Sequence, residues 1–232
     1  MKKAVIFDLD GTLLNSLEDL AAATNAALRK QGFPERTVEE VRRFVGNGVA
    51  LLIHRSVPAG TTRAVEETCL ADFRTSYFAH MTEKTLPYPG IRSLLAALQR
   101  EGFRLAVVSN KLENAVQELC RFYFDGLLDL AVGDRPGFRT KPAPDNLLRC
   151  MEQLQVRREE VIYVGDSPTD IQTAENTGVD FVGVLWGFRE EAEMRAATEA
   201  PLARTPGELL EEIRRISAGA AGTANGGSDE NR

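Results

Sequence analysis

The feature that most constrains this chain is a short apolar run that stops at a pair of carboxylates. Ala4, Val5, Ile6 and Phe7 are followed at once by Asp8-Leu9-Asp10-Gly11-Thr12. A near-continuous apolar run of this length reads as a strand buried on both faces of a parallel sheet. Ligands collect just beyond the carboxyl ends of such strands, so Asp8 and Asp10 fall where a reactive group belongs. Gly11 lets the chain leave the sheet by a turn with unusual backbone angles. A carboxylate at this place can attack phosphorus and become an aspartyl-phosphate. A second carboxylate two residues on can serve as general acid and base. The competing reading is a strand followed by a plain Asp-Gly turn. This stretch alone leaves both open.

The pattern downstream decides the architecture. From Ser16 to His80 the chain reads as almost all helix, in four segments. Ser16 with Asp19 has capping-pair spacing, and Leu17, Leu20, Ala21, Thr24 and Leu28 form one stripe of the first segment. Thr37 and Glu40 fit a capping box for the second, and Gly46-Asn47-Gly48 separates it from the third. Thr82 to Gly90 reads as a linker. From residue 90 onward helix alternates with strand, with strands near Leu105–Val108, Leu128–Val132, Val161–Val164 and Phe181–Leu185. That alternation predicts an α/β fold with a doubly wound, Rossmann-like parallel sheet. The helical block interrupts it after its first strand. The expected division is therefore an α/β core of residues 1–14 and 90–215, an inserted all-helical cap of residues 15–81, and a return linker of 82–89. Both crossings, near Leu14–Ser16 and Thr82–Pro89, are expected to hinge the cap over the site. Residues 217–232 are rich in Gly, Ala, Ser and Asn without an apolar period, and are expected to be disordered.

Composition narrows the partners. The 232 residues carry 28 basic and 34 acidic side chains, which argues against a general nucleic-acid surface. A phosphorylated ligand is still accommodated, because a bound cation and one or two lysines can set the field inside a pocket. No run reaches the length of a membrane span. The strand begins at once, leaving no room for a signal peptide, and Cys69, Cys120 and Cys150 form no metal or redox spacing. The expectation is a cytoplasmic protein with reduced, packed thiols.

Four sites fall at or just beyond predicted strand ends: Asp8 with Asp10, Ser109, Lys141, and Asp166 with Asp170. Two acidic pairs, a hydroxyl and a lysine suit phosphoryl transfer from a small ester with Mg²⁺ held by oxygen ligands. Taken singly, each has a plainer reading. Ser109-Asn110 fits a helix cap, Ser167, Pro168 and Asp170 make a capping box, and Lys141 competes with Lys111 for a phosphate. His54 and His80 have no partner at ligand spacing and read as surface or cap packing.

Taken together, these stretches resemble the haloacid dehalogenase-like hydrolase superfamily, in its phosphatase branch with an inserted helical cap. Asp8-Leu9-Asp10-Gly11-Thr12, Ser109 in Val-Val-Ser-Asn-Lys, Lys141 in Lys-Pro-Ala-Pro-Asp, and Gly165-Asp166-Ser167-Pro168-Thr169-Asp170 match its four motifs in order. The resemblance implies catalytic roles for Asp8 as nucleophile, Asp10 as acid and base, and Lys141 as the neutralising cation. It implies phosphate contacts from Thr12, Ser109 and Asn110. It implies Mg²⁺ as the cofactor, at Asp8, the Asp10 carbonyl and Asp166, with Asp170 either on the metal or behind its water shell. Within the superfamily, Val45-Gly46-Asn47-Gly48, Pro87-Tyr88-Pro89-Gly90 and Lys141-Pro142-Ala143-Pro144 are most similar to phosphoglycolate phosphatases. Gly46, Asn47 and Gly48 would then form a substrate-reading loop for a small carboxylated ligand, against the alternative of a helix–helix turn. The implied reaction is hydrolysis of 2-phosphoglycolate to glycolate and phosphate. Pyrophosphate, sugar phosphates, nucleoside monophosphates and a β-phosphoglucomutase-like phosphomutase are alternatives, and a non-catalytic binding module is a remote one. The implied partner is a small phosphorylated metabolite, with neither nucleic acid nor membrane, in a monomer or homodimer.

Overall fold

The computed structural model describes residues 1–222. Strand β1 (Ala4–Phe7) lies between β4 (Arg104–Leu112) and β6 (Val161–Gly165). The order is completed by β5 (Leu130–Asp134) outside β4, and by β7 (Asp180–Val184) and β8 (Leu202–Ala203) outside β6. Every pairing in this six-stranded sheet is parallel. The apolar run of β1 is continuous because both its faces are covered. Val5 and Phe7 pack with α5 (Ile91–Arg100), α6 (Glu113–Phe124) and the start of α10 (Pro206–Gly222). Ala4 and Ile6 pack on the other face with α7 (Asp145–Leu154), α8 (Pro168–Thr177) and Met194 of α9 (Glu191–Ala197). The fold is the doubly wound α/β arrangement expected from the alternation.

The chain builds outward from β1 through β4 to β5, then returns to the other side of β1 with β6. Phe7 pairs with both Val107 and Val164. β1 and β6 therefore end within a residue of each other at one edge while β4 runs on past them to Leu112, and the point where the strand order reverses lies between Asp8 and Asp166. That is where an open α/β sheet leaves a crevice.

Between β1 and α5 the chain forms α1 (Leu17–Lys30), α2 (Val38–Phe44), α3 (Val49–Ser56) and α4 (Arg63–His80). The Thr37–Glu40 capping box starts α2 as its spacing predicts. Leu20, Ala27, Leu28, Leu52, Ile53, Phe73 and Tyr77 are buried in an apolar cluster continuous with that of the sheet. The connections in and out of this block pair as a short antiparallel ribbon, β2 (Leu14–Asn15) with β3 (Leu86–Pro87).

Three expectations are corrected here. Ser16 does not cap α1; its hydroxyl donates to Asp10 Oδ1 at 2.5 Å. Asp19, its expected capping partner, accepts from the Thr85 amide at 2.8 Å and the Thr85 hydroxyl at 2.7 Å, and so pins the return connection. β4 runs on to Leu112, so Ser109, Asn110 and Lys111 lie within the strand rather than capping the next helix. The last helix continues to Gly222, past Ser217 where disorder is expected. Ala218, Ala220 and Ala221 are strong helix formers, and that propensity offsets the neighbouring glycines. The rest of the expected tail, 223–232, lies outside the described residues. Cys69, Cys120 and Cys150 are buried and unbridged. Among the described residues no helix is long and apolar enough to cross a membrane.

Candidate active site

Register alone brings Asp8 and Asp166 together, since each leaves its strand at the same edge. Lys141 reaches them from the loop that precedes α7. Its ammonium lies 2.8 Å from Asp8 Oδ1 and 2.7 Å from Asp170 Oδ1, and 3.1 Å from the Tyr163 hydroxyl. Lys141 is the motif lysine that meets Asp8. Lys111 goes elsewhere, to Asp10 Oδ1 at 3.0 Å.

The carboxylates differ in how far they are committed. Asp170 is fully occupied. Its Oδ1 accepts from Lys141 and from Tyr163, and its Oδ2 from the Ser167 amide at 3.2 Å and hydroxyl at 2.6 Å. It thus closes the α8 capping box and anchors Lys141 at the same time. Asp166 accepts from the Phe188 amide at 2.7 Å and from Thr12 Oγ1 at 3.4 Å. Asp10 is held through one oxygen only, by Ser16 and Lys111.

Backbone close to these carboxylates is glycine for a steric reason. A Cβ on Gly11 would lie 2.2 Å from Asp166 Oδ2, one on Gly187 would lie 2.4 Å from the same oxygen, and one on Gly165 would lie 2.3 Å from the Asp170 Cβ. Gly11 also has φ +85°, which an L side chain adopts only at a cost.

Burial dominates the electrostatics. It pushes the Asp8 carboxyl well above the usual carboxylate range, against the pull of Lys141 and helped by the charges of Asp170 and Asp166. It pushes Asp166 up to about 7, again with Asp170 adding to the shift. For Lys141 burial acts in the opposite direction, but Asp170 and Asp8 outweigh it and keep the ammonium charged. Three buried carboxylates facing one lysine leave the cluster short of positive charge.

Asp8, Asp166 and Asp170 bring carboxylate oxygens within 4.8 Å of one another. An all-oxygen donor set that needs positive charge fits a hard divalent cation. With Asp170 already spent on four hydrogen bonds, Asp8 and Asp166 are the carboxylates that would hold it. None of the backbone hydrogen bonds of the Asp8–Leu14 turn ends on the Asp10 carbonyl, which is therefore available as a third oxygen.

These groups open into a cavity of about 790 Å³, its solvent-facing mouth included. Asp8, Asp10, Ser109, Asn110, Lys111, Lys141 and Asp166 line the strand-tip side. Leu20, Val45, Val49, Leu52, Phe73, Arg74, Tyr77 and Phe78 line the side formed by α1–α4. Of the expected contacts, Ser109 faces the cavity. Asn110 lines it too, while its side chain clamps both sides of the structure. Its amide donates to the carbonyls of Lys141 at 3.0 Å and Gly46 at 3.2 Å, and its oxygen accepts from the Lys141 amide at 2.7 Å. Gly46 and Gly48 line the cavity with backbone, but Asn47 does not; its amide donates to Thr169 Oγ1 at 3.0 Å. Thr12 is fully buried behind Asp166, away from the cavity. His54 and His80 pair with Glu66 and Glu83 on the exposed surface.

Sequence reasoning missed Ser16, Tyr77 and Tyr163. Lys111 donates to the Tyr77 hydroxyl at 2.5 Å, and Tyr77 stacks on Phe73 with centroids 5.6 Å apart. Tyr163 gave one usable signal, a lone hydroxyl in the middle of a fully apolar strand, which needs a buried partner. Arg189 was also missed. It donates to the Arg42 carbonyl at 2.8 Å and the Val45 carbonyl at 2.5 Å, tying the end of α2 to the loop that follows β7.

Comparison with known proteins agrees with this geometry. The sequence profile of the haloacid dehalogenase-like hydrolase family matches residues 5–184. A phosphoglycolate phosphatase of Pseudomonas putida is 33% identical over 97% of this chain and 82% of its own length. One from Rhodospirillum rubrum is 37% identical over 82% of this chain and 83% of its own. A crystal structure from Lactobacillus delbrueckii subsp. bulgaricus, of a protein provisionally named phosphoglycolate phosphatase, superimposes with a TM-score of 0.87. It is 36% identical and covers 92% of this chain and 99% of its own. With strand tips, motif residues and relatives in agreement, the chain belongs to the haloacid dehalogenase-like hydrolase family.

Proposed function

We propose that this hydrolase is a Mg²⁺-dependent phosphatase that acts through an aspartyl-phosphate on Asp8, with 2-phosphoglycolate as its substrate. The observation that carries the chemistry is the Lys141 ammonium held between Asp8 and Asp170 at the floor of the cavity. Lys141 pulls Asp8 toward its ionised, nucleophilic form, against the burial that raises its carboxyl. The names of the relatives support the choice of substrate.

An oxygen of Asp8 attacks phosphorus, and the ester oxygen leaves with the bond that joined it. Asp10 gives that oxygen a proton. Ser16 and Lys111 both hold Asp10 by Oδ1, which leaves Oδ2 as the oxygen that exchanges the proton. Asp10 then takes a proton from the water that attacks the phosphoryl group, returning Asp8 as a carboxylate and releasing phosphate. Ser109 and Lys141 meet the phosphoryl oxygens, where donors that need no reorganisation are most effective. Asp8, Asp166 and the Asp10 carbonyl would hold the cation, which would supply charge neutralisation at the phosphoryl group.

The test is Mg²⁺-dependent phosphate release from 2-phosphoglycolate, pyrophosphate, β-glucose-1-phosphate, other sugar phosphates and nucleoside monophosphates, with Asp8→Asn as control. The expected result is release that needs both Mg²⁺ and Asp8 and is fastest with 2-phosphoglycolate. Flat activity across the panel would remove the substrate assignment and leave the chemistry. No release from any ester would favour the binding-module reading.

A further inference from the structure

Four cations line the cavity among the described residues: Arg74, Lys111, Lys141 and Arg189. Three are committed. Lys141 meets Asp8 and Asp170, and Lys111 meets Asp10 and Tyr77. Arg189 donates to two carbonyls at the end of α2 and lies 3.5 Å from Glu193. Arg74 has no hydrogen bond and no ion pair with any described residue. Its place in α4 is nonetheless fixed. Arg74, Tyr77 and Phe78 stand at positions i, i+3 and i+4, one face of the helix, and all three line the cavity. The surrounding wall is apolar, with Leu20, Leu52 and Phe78. Arg74 is exposed, so its guanidinium stands at the cavity's rim beside that apolar wall, where it can read a planar anion through two parallel hydrogen bonds.

We propose that Arg74 is a specificity-determining residue that binds the carboxylate at the far end of the substrate. This proposal rests on the phosphatase reading above and deepens it. The substrate class is a small phosphorylated hydroxy acid, with phosphate against Asp8 and Ser109, carboxylate against Arg74, and little but methylene between. The wall also disfavours sugar phosphates, because polyol hydroxyls would lose water there without finding partners. Arg74 also acts on Asp134, at the tip of β5. Burial pushes its carboxyl up and Arg74 pulls it back. Asp134 supplies the competing explanation, a strut between α4 and the sheet.

The experiment compares 2-phosphoglycolate with ethyl phosphate, an ester of similar size that lacks the carboxylate. The variants are Arg74→Gln, Arg74→Lys and Asp134→Asn, each checked for an unchanged melting profile. The expected result is a loss of roughly 10- to 100-fold in kcat/KM for 2-phosphoglycolate in Arg74→Gln. The loss falls mainly on KM, is far smaller for ethyl phosphate, and is partly restored by Arg74→Lys. Equal losses on both esters, or a preference for the carboxylated ester that survives Arg74→Gln, would overturn the proposal alone. So would an Asp134→Asn variant that reproduces the Arg74→Gln profile, which would make Arg74 a strut. A wild-type enzyme with no preference for 2-phosphoglycolate over ethyl phosphate would overturn the substrate assignment and this proposal together.

Discussion

The two sides of the cavity differ in what fixes their side chains. On the strand-tip side, Asp8, Lys141, Asp166 and Asp170 are locked by short polar contacts, two of them from the backbone amides of Ser167 and Phe188 just beyond β6 and β7. On the facing side, Leu20, Val49, Leu52, Phe73 and Phe78 are placed by packing between helices, and the polar groups Tyr77 and Arg74 stand singly among them. The first side holds charge in a set geometry. The second shapes space and can be repacked at modest cost. Changes on the first should therefore alter turnover of every ester alike. Changes on the second should alter the ranking of esters.

The comparison breaks first at the proposed nucleophile, Asp8. Asp8→Asn is expected to lower kcat by on the order of 10⁴-fold or more for all substrates, with no phosphate retained on the protein, as loss of a covalent nucleophile does. Asp10→Asn should lower kcat by roughly 10²- to 10⁴-fold while Mg²⁺ binding, read by calorimetry, largely persists. If both variants lost metal affinity equally, the two aspartates would not have separate roles. Lys141→Ala removes a preorganised cation and should cost roughly 10²- to 10³-fold in kcat, again for all esters. A loss confined to one ester would move Lys141 to the specificity side.

Across the cavity the effects should be smaller and selective. Tyr77→Phe leaves Lys111 with Asp10 and the aromatic face, and should lower kcat/KM by no more than about tenfold, the net scale of one ordinary hydrogen bond. A loss as large as that of Asp10→Asn would show that the helical side takes part in proton transfer.

The smallest effect sharpens the comparison through stability. Burial pushes the Asp166 carboxyl up to about 7 in the metal-free folded chain, against 3.8 for an unperturbed aspartate. The folded state therefore holds its proton more tightly than the unfolded chain, and stability falls as pH rises from about 4 to about 7. Asp166→Asn should raise the melting temperature of the metal-free protein at pH 8 by on the order of 2–4 °C for each kcal/mol relieved. The gain should vanish near pH 4. Mg²⁺ should narrow it by stabilising the wild type. A variant less stable than wild type at pH 8 without metal would show that the Asp166 contacts to Phe188 and Thr12 outweigh its buried charge.

The same division explains how much of the protein is readable from sequence. Sheet, helical insertion and motif positions are written locally, in an apolar run ending at Asp8, in Gly165-Asp166, and in the α8 capping box. Ser16 is misread because Asp10, a tertiary partner, outcompetes the helix end for its hydroxyl. Asp19 is misread for the same reason, with Thr85 as the competitor. β2, β3 and β8 are two residues each, too short to carry a period. Arg74 and Tyr77 look like ordinary positions on an amphipathic helix, since nothing local says that α4 faces Asp8 across a cavity.

The β2–β3 ribbon has a consequence for assembly. β1 must find β4 and β6, far along the chain, before the sheet exists. Because Leu14 pairs with Pro87 and Asn15 with Leu86, the intervening helices leave and rejoin the sheet side by side. Once that clasp closes, the loop that must be ordered to bring β1 to β4 shrinks to roughly a quarter. Closure entropy grows only with the logarithm of length, so the saving is about 1 kcal/mol. To the sheet the helical block is then no longer than an ordinary connection. Its size and sequence are free to vary while the strand tips keep their register.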